Sequence, residues 1–218
     1  DNRSKKERTK FMSSTKFITL LVLLFSFTSK AADRFVVLSG GGSPIVNHYS
    51  QYLQTKTLYT SLVGDFGSDS VDVFFAAGNR PDQSPLMADV HRVIQEQGYA
   101  REVQIVGNIE NNRQANKKNV MNFFSNELAS KLSSKDNLFV FVSDHGMPNQ
   151  LRGKTDSTFS NNCIDLWNFE VDLGKEGYRS SVFFDDRCFA KSDLKNSLNK
   201  LPVGKTVFAM SQCYSGGF

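Results

Sequence analysis

Residues 138–146 read LFVFVSDHG, a short run of apolar, β-branched and aromatic residues that ends in Asp-His-Gly. A run of this length and composition predicts a buried β-strand. A second run of the same kind, residues 206–210, leads into Ser211-Gln212-Cys213. The two runs therefore predict two strands that carry polar or reactive side chains just past their carboxyl ends.

Strand-like runs alternate with segments of helical periodicity along the rest of the chain. Strands are predicted at 35–38, 71–76, 138–143 and 206–210, and a weaker one at 102–106. Helices are predicted at 48–63, 85–97, 116–132 and 192–198, with Ser192-Asp193 as the N-cap of the last. The alternation predicts an α/β fold with a mostly parallel sheet and helices on both faces. Residues 154–177, rich in Ser, Thr, Asn and Gly, predict a long irregular insertion.

The helix at 116–132 shows the clearest periodicity. Its apolar residues recur at three- and four-residue steps on one stripe, at Val120, Phe123, Phe124, Leu128 and Leu132. Such a stripe predicts that the helix covers one face of the sheet.

Composition and charge exclude several classes of protein. The 218 residues are 39% hydrophobic and 22% charged, which is typical of a globular chain. No apolar run approaches the roughly 20 residues of a spanning helix. The net charge of +4 comes from the first 32 residues, since the remainder carries one more acidic than basic side chain. Neither a polytopic membrane protein nor a nucleic-acid-binding surface is predicted.

Residues 1–32 have the order of a secretory signal peptide. Lysines and arginines precede an apolar run at 17–27, and small residues follow it up to Ala31-Ala32. This order predicts cleavage near Ala31 or Ala32 and a secreted or extracytoplasmic protein without a membrane span in its mature chain. An uncleaved anchor or a buried first helix is the alternative. The chain is thus divided into an N-terminal extension with signal peptide, 1–32, and one domain, 33–218.

The chain contains three cysteines, so at least one of them stays unpaired within the chain. Export permits disulfides, and a bridge between Cys163 and Cys188 would close the irregular insertion and leave Cys213 free. The sequence leaves this pairing open. No metal site is predicted, because the spacings contain no C-x-x-C and the histidines are scattered.

Two further signals are interpreted as structural. Gly40-Gly41-Gly42 lacks the spacing of a phosphate-binding loop and predicts an ordinary turn. Asp185-Asp186, with Asp165 and Asp172 nearby, shows no repeated ligand spacing and is interpreted as a solvated acidic loop.

His145 and Cys213 follow the carboxyl ends of two predicted strands. In open parallel sheets this edge lines the crevice where ligands bind, so the two side chains can meet there. A thiolate can attack a carbonyl carbon, while an imidazole stabilises the thiolate and later protonates the leaving group. The alternative is a hydrogen-bonded structural histidine and an inert packed cysteine.

The strand ending in His145-Gly146, with a later strand ending in Gln212-Cys213, resembles the caspase-like cysteine peptidases. The Asp-His-Gly form most resembles their legumain (asparaginyl endopeptidase) branch. The resemblance implies a caspase-like three-layer α/β sandwich. It also implies that Cys213 is the nucleophile, His145 the proton donor, and the backbone N–H groups of Gly146 and Cys213 the oxyanion hole. Asn47 stands where legumains have an Asn that supports the catalytic His, and its alternative is a loop or helix-cap role.

The implied function is an exported cysteine endopeptidase. It would cleave a peptide or protein substrate through an acyl-thioester, without a metal or organic cofactor. Two alternatives remain: a transpeptidase or transamidase that uses the same dyad, and a non-catalytic peptide-binding module of the same fold. The sequence makes no prediction of oligomeric state.

Several positions depart from the family patterns. His48-Tyr49-Ser50 stands where legumains have Tyr-Arg-His, and Ser211 stands where they have Glu, so asparaginyl specificity is not implied. The residues around Cys213 also differ from the caspase Q-A-C-x-G pattern. The family continues with further strands beyond the nucleophile, so the resemblance implies a domain that is C-terminally incomplete at Phe218.

Overall fold

The computed structural model describes residues 31–43, 47–79, 87–94, 98–105, 107–147, 162–171, 178–180, 187–213 and 215. The chain divides into two units, Asp1–Ala31 and Ala32–Phe218, and the fold presented below is that of the second. The apolar run and basic residues of the predicted signal peptide lie outside the described residues, so that interpretation stays a prediction.

Strands and helices alternate along the described residues. The strands are β1 (Asp33–Ser39), β2 (Val71–Phe75), β3 (Met87–Ile94), β4 (Gly98–Ile105), β5 (Asn137–Ser143), β6 (Gly146–Met147), β7 (Cys163–Asp165), β8 (Phe169–Val171), β9 (Tyr178–Ser180), β10 (Cys188–Ala190) and β11 (Lys205–Met210). The helices are α1 (Tyr49–Phe66), α2 (Lys117–Asn122), α3 (Leu128–Lys131) and α4 (Lys191–Leu198), with a 3-10 turn (Ser68–Ser70) after α1 and a π-helical segment (Phe123–Glu127) between α2 and α3. Across this part of the chain, no helix has both the length and the apolar character needed to cross a membrane.

The central sheet contains the four strands that the sequence predicts most strongly. Its order is β11-β5-β1-β2, and all three pairings are parallel. In register, Phe35 lies between Val71 on one side and Phe139 on the other. The predicted α/β class with a mostly parallel sheet is therefore confirmed.

Helices cover the two faces of this sheet. The ring of Phe75 lies 5.9 Å from that of Tyr52 in α1, whereas the ring of Phe74 lies 5.1 Å from that of Phe123 in the π-helical segment. Successive side chains of a strand point to opposite faces. Helix α1 and the continuous α2–α3 helix therefore lie on opposite sides, which gives a helix–sheet–helix arrangement.

The predicted apolar stripe of the α2–α3 helix is confirmed as part of the core. Its five members, Val120, Phe123, Phe124, Leu128 and Leu132, are all buried. The π-helical segment was not predicted. A wider turn rotates the chain less per residue, so Leu128 returns to the face that Val120 occupies. Asn116 caps the helix by accepting a hydrogen bond from the amide of Asn119 at 2.8 Å.

The prediction of a helix at 85–97 is wrong. The described part of this stretch, Met87–Ile94, forms β3, which pairs antiparallel with β4 from Met87↔Ile105 to Ile94↔Gly98. Three residues connect the two strands, and β-branched side chains such as Val93 favour the extended chain. The strand predicted at 102–106 exists as part of β4, but it pairs with β3 and not with the central sheet.

The prediction of an irregular insertion at 154–177 is wrong for the residues that form β7 and β8. Strand β7 lies in the middle of a three-stranded antiparallel sheet with the order β10-β7-β6, and β8 pairs with β9. The partners of β7 lie far along the chain on either side, so local composition did not indicate the pairing. Other residues of the insertion lie outside the described residues.

The N-cap predicted for α4 is also displaced. The helix begins at Lys191, and Asp193 lies in its first turn. The Asp193 carboxylate accepts a hydrogen bond from the amide of Ala190 at 3.2 Å. The acidic side chain therefore satisfies a helix-start amide from inside the helix and not from the cap position.

Candidate active site

Three loops meet at the carboxyl edge of the central sheet, after β1, β5 and β11. The register pairs Ser39 with Ser143 and Val142 with Met210, so the strands end at nearly the same level. The amide of Ser211 then donates a hydrogen bond to the carbonyl of Val142 at 2.7 Å. The parallel sheet thus brings the loops that carry His145 and Cys213 together.

Gly146 packs directly against the backbone of Cys213. A Cβ atom built on Gly146 would lie 1.7 Å from the carbonyl oxygen of Cys213 and 3.3 Å from Nε2 of Gln212. No Cβ atom tolerates such an approach, so this contact requires glycine. The Asp-His-Gly and Gln-Cys sequences therefore lie side by side, with Cys213 as an exposed free thiol. The catalytic roles assigned to Cys213, His145 and Gly146 stay predictions.

A second histidine, His48 at the start of α1, lies beside His145. The ring centroid of His48 lies 5.0 Å from that of His145, with a 57° angle between the ring planes. Asn47, the predicted support of His145, directly precedes His48 in the sequence and is buried. Its backbone N–H donates a hydrogen bond to the carbonyl of Ser43 at 2.9 Å. In the sequence, His48 stands out only as a departure from the legumain pattern, since nothing local relates it to His145.

Asp144 is buried and organises the turn before His145. Its Oδ1 atom accepts hydrogen bonds from the amides of Gly41 at 2.9 Å and His145 at 2.6 Å. Burial raises the pKa of Asp144 well above its ordinary value; the two amide hydrogen bonds oppose the rise, and the nearby carboxyl group of Asp165 adds to it. Through these hydrogen bonds, the carboxyl of Asp144 connects the loop after β1, here called the first loop, to the His145 loop after β5.

Asp165 is buried and paired with Arg187. The Nε and Nη2 atoms of Arg187 donate to the two carboxylate oxygens of Asp165 at 2.9 and 2.5 Å. Burial raises the pKa of Asp165, and the hydrogen bonds and charge of Arg187 oppose that rise. The interpretation of Asp165 as part of a solvated acidic loop is therefore wrong, because its strand β7 is paired on both sides. Asp172 and Asp185-Asp186 lie outside the described residues.

Cys163 and Cys188 form a disulfide, the pairing that the sequence left open. The bond joins β7 to β10 across Cα atoms 5.0 Å apart. Asp165 follows Cys163 by two residues, and Arg187 directly precedes Cys188. In the observed register Asp165 lies opposite Cys188, which places Arg187 next to the residue that Asp165 faces.

The glycine-rich segment after β1 is irregular, with a bend at Gly42. Gly40 and Gly42 have left-handed φ angles of 76° and 71°. A Cβ atom built on Gly41 would lie 1.6 Å from the carbonyl oxygen of Asp165 and 2.4 Å from Oδ1 of Asp144. The absence of a side chain at Gly41 therefore allows the first loop to pack on both buried aspartates.

Comparison with family models and with curated proteins found no match to this chain. The resemblance to the caspase-like peptidases therefore rests on the strand-end motifs alone. Across the described ranges, no group of three or more His, Cys, Asp or Glu side chains is arranged to hold a metal ion.

Replacing Asp144 by asparagine is expected to change how stability depends on pH. Because the pKa of Asp144 is higher in the folded protein than in the unfolded chain, its stabilising contribution is complete below about pH 4 and is lost as the pH rises through the raised value. Wild type should lose up to about 1.4 kcal/mol per pH unit in that window relative to Asp144→Asn. Urea unfolding at several pH values between 4 and 8 measures the difference.

The matched control for this variant is Asp65→Asn, which changes an exposed aspartate at the end of α1. The control should follow the wild-type pH dependence. Parallel stability curves for wild type and Asp144→Asn would contradict the expectation.

Proposed function

We propose that this chain is an exported cysteine endopeptidase with a caspase-like fold, closest to the legumain branch. The observation that supports the proposal is the contact of Gly146 with the backbone of Cys213 at the carboxyl edge of the parallel sheet. Of the three cysteines, all of which the structure describes, two are bonded to each other and Cys213 is free and exposed. This arrangement leaves the thiol of Cys213 available for the proposed chemistry.

In the proposed reaction, the Cys213 thiolate attacks the carbonyl carbon of a substrate peptide bond. A C–S bond forms, and the carbonyl electron pair moves to oxygen, where the N–H groups of Gly146 and Cys213 would stabilise the negative charge. His145 then gives a proton to the amine as the C–N bond breaks. Water, deprotonated by His145, attacks the acyl-thioester and releases the acid and the thiolate.

The disulfide supports export to an oxidising compartment. Disulfides such as Cys163–Cys188 persist in secreted and periplasmic proteins and are rare in reducing compartments. This agrees with the predicted signal peptide at residues 1–32. We therefore propose a secreted or extracytoplasmic location.

Labelling with an acyloxymethyl ketone peptide probe, which reacts with activated thiols, tests the proposal. Wild type should be labelled, Cys213→Ala should not, and His145→Ala should react about 100-fold or more slowly because the thiolate loses its partner. The control His91→Ala changes a histidine of β3, outside the three loops, and should react like wild type.

The decisive comparison is between the probe and a small alkylating reagent. If the Cys213 thiol of wild type reacts with iodoacetamide but never with the peptide probe, the peptidase proposal fails. A peptide-binding module of the same fold would then take its place.

A further inference from the structure

We propose that Asp165 and Arg187 are positioning residues that hold the His145-Gly146 segment in place. Their effect on catalysis rests on the proposed peptidase function, whereas their effect on the backbone of this segment does not. Neither residue belongs to the sequence motifs that predict the catalytic residues.

Strand β7 directly contacts the His145-Gly146 segment. The amide of Asp165 donates a hydrogen bond to the carbonyl of His145 at 2.9 Å. Next to it, β6 pairs with β7 so that Gly146 faces Ile164. The backbone that presents His145 and the predicted oxyanion-hole amide of Gly146 is therefore held by a strand of three residues.

Strand β7 is itself held by contacts with Arg187. A strand of this length makes few ladder hydrogen bonds, so its position depends on additional links. Arg187 binds the carboxylate of Asp165 with two hydrogen bonds, and the amide of Leu166 donates to the carbonyl of Arg187 at 2.8 Å. Both links connect the carboxyl end of β7 to the start of β10. Such a forked pair fixes orientation as well as distance.

Asp165 also packs on the first loop, the one after β1. Its carbonyl oxygen occupies the position where a side chain at Gly41 would lie. Gly41 in turn donates to the carboxyl of Asp144, which directly precedes His145. Asp165 thus contacts the first loop and the His145 loop at once, and displacement of its backbone must move both.

The test uses the charge-balanced double variant Asp165→Asn/Arg187→Gln in the full chain. Removing both charges avoids the unpaired buried charge that a single substitution would leave, so the variant should fold. The control Arg113→Gln/Glu127→Gln removes another Arg–carboxylate pair, 2.7 Å long, from outside the three loops. Hydrogen–deuterium exchange over residues 144–147 is measured together with the kinetics of probe labelling.

Exchange over 144–147 should become about tenfold faster in the Asp165/Arg187 variant and stay unchanged in the control. The maximal labelling rate should fall about tenfold, with the affinity for the probe changed less than twofold, because the segment is misplaced while probe binding persists. If the ion pair only stabilised the fold, the maximal labelling rate would not fall while the affinity for the probe was retained.

Unchanged exchange over 144–147 would overturn the positioning role, whatever the labelling shows. If exchange accelerates while the maximal labelling rate stays at the wild-type value, the proposed effect on catalysis is overturned. Wild type that is never labelled, with exchange accelerated in the variant, would refute the peptidase function and leave the positioning of the segment supported.

Discussion

The Gly146→Ala variant is expected to react with the peptide probe no faster than Cys213→Ala and to unfold more easily than wild type. The new Cβ atom would lie 1.7 Å from the carbonyl oxygen of Cys213, and the obstacle is backbone and not a flexible side chain. The loops after β5 and β11 must therefore separate. We expect a loss of roughly 2–4 kcal/mol in the free energy of unfolding.

Gly64→Ala is the matched control for this prediction. Gly64 lies in α1 and is exposed, and a Cβ atom built on it meets nothing within 4 Å. Alanine there should stabilise the protein by about 0.5–1 kcal/mol, because glycine is unfavourable inside a helix. Urea unfolding and probe labelling of both variants make the comparison. Wild-type stability in Gly146→Ala would mean that the two loops do not touch as described.

Removal of the disulfide is expected to have the second large effect. Cys163 and Cys188 are 25 residues apart in the sequence. Because the bridge restricts the conformations of the unfolded chain, it raises the free energy of the unfolded state by about 3 kcal/mol. The double variant Cys163→Ala/Cys188→Ala should lose about that much stability. Both residues are buried in the β10-β7-β6 sheet, so the loss should loosen β7 as well.

Urea unfolding with and without a reducing agent measures this effect. Reduction should shift the wild-type midpoint to that of the double variant and should leave the variant itself unchanged. Cys213→Ser, which removes the free thiol, is the control and should stay within about 0.5 kcal/mol of wild type. A double variant with the wild-type midpoint would contradict a stabilising role for the bridge.

The regular elements that the sequence predicted well are the four strands of the central sheet and the α2–α3 helix. The four central strands are short apolar runs, and the α2–α3 helix carries its apolar stripe over four turns. The failed helix at 85–97 also has apolar residues at three- and four-residue steps, at Met87, Val90 and Ile94, and pairing with β4 decided its conformation. Local pattern alone therefore does not separate a helix from a strand whose conformation is decided by its pairing partner.

The sequence by itself determined the α/β class, the four parallel strands and the positions of His145 and Cys213 just past two strand ends. These features follow from periodicity and from the rule that parallel strands end at one edge, which act over a few residues. Only the tertiary structure decided the Cys163–Cys188 bridge, the Asp165–Arg187 ion pair and the contact of His48 with His145. Each joins residues far apart along the chain, and such contacts exist only once the sheet has brought the loops together.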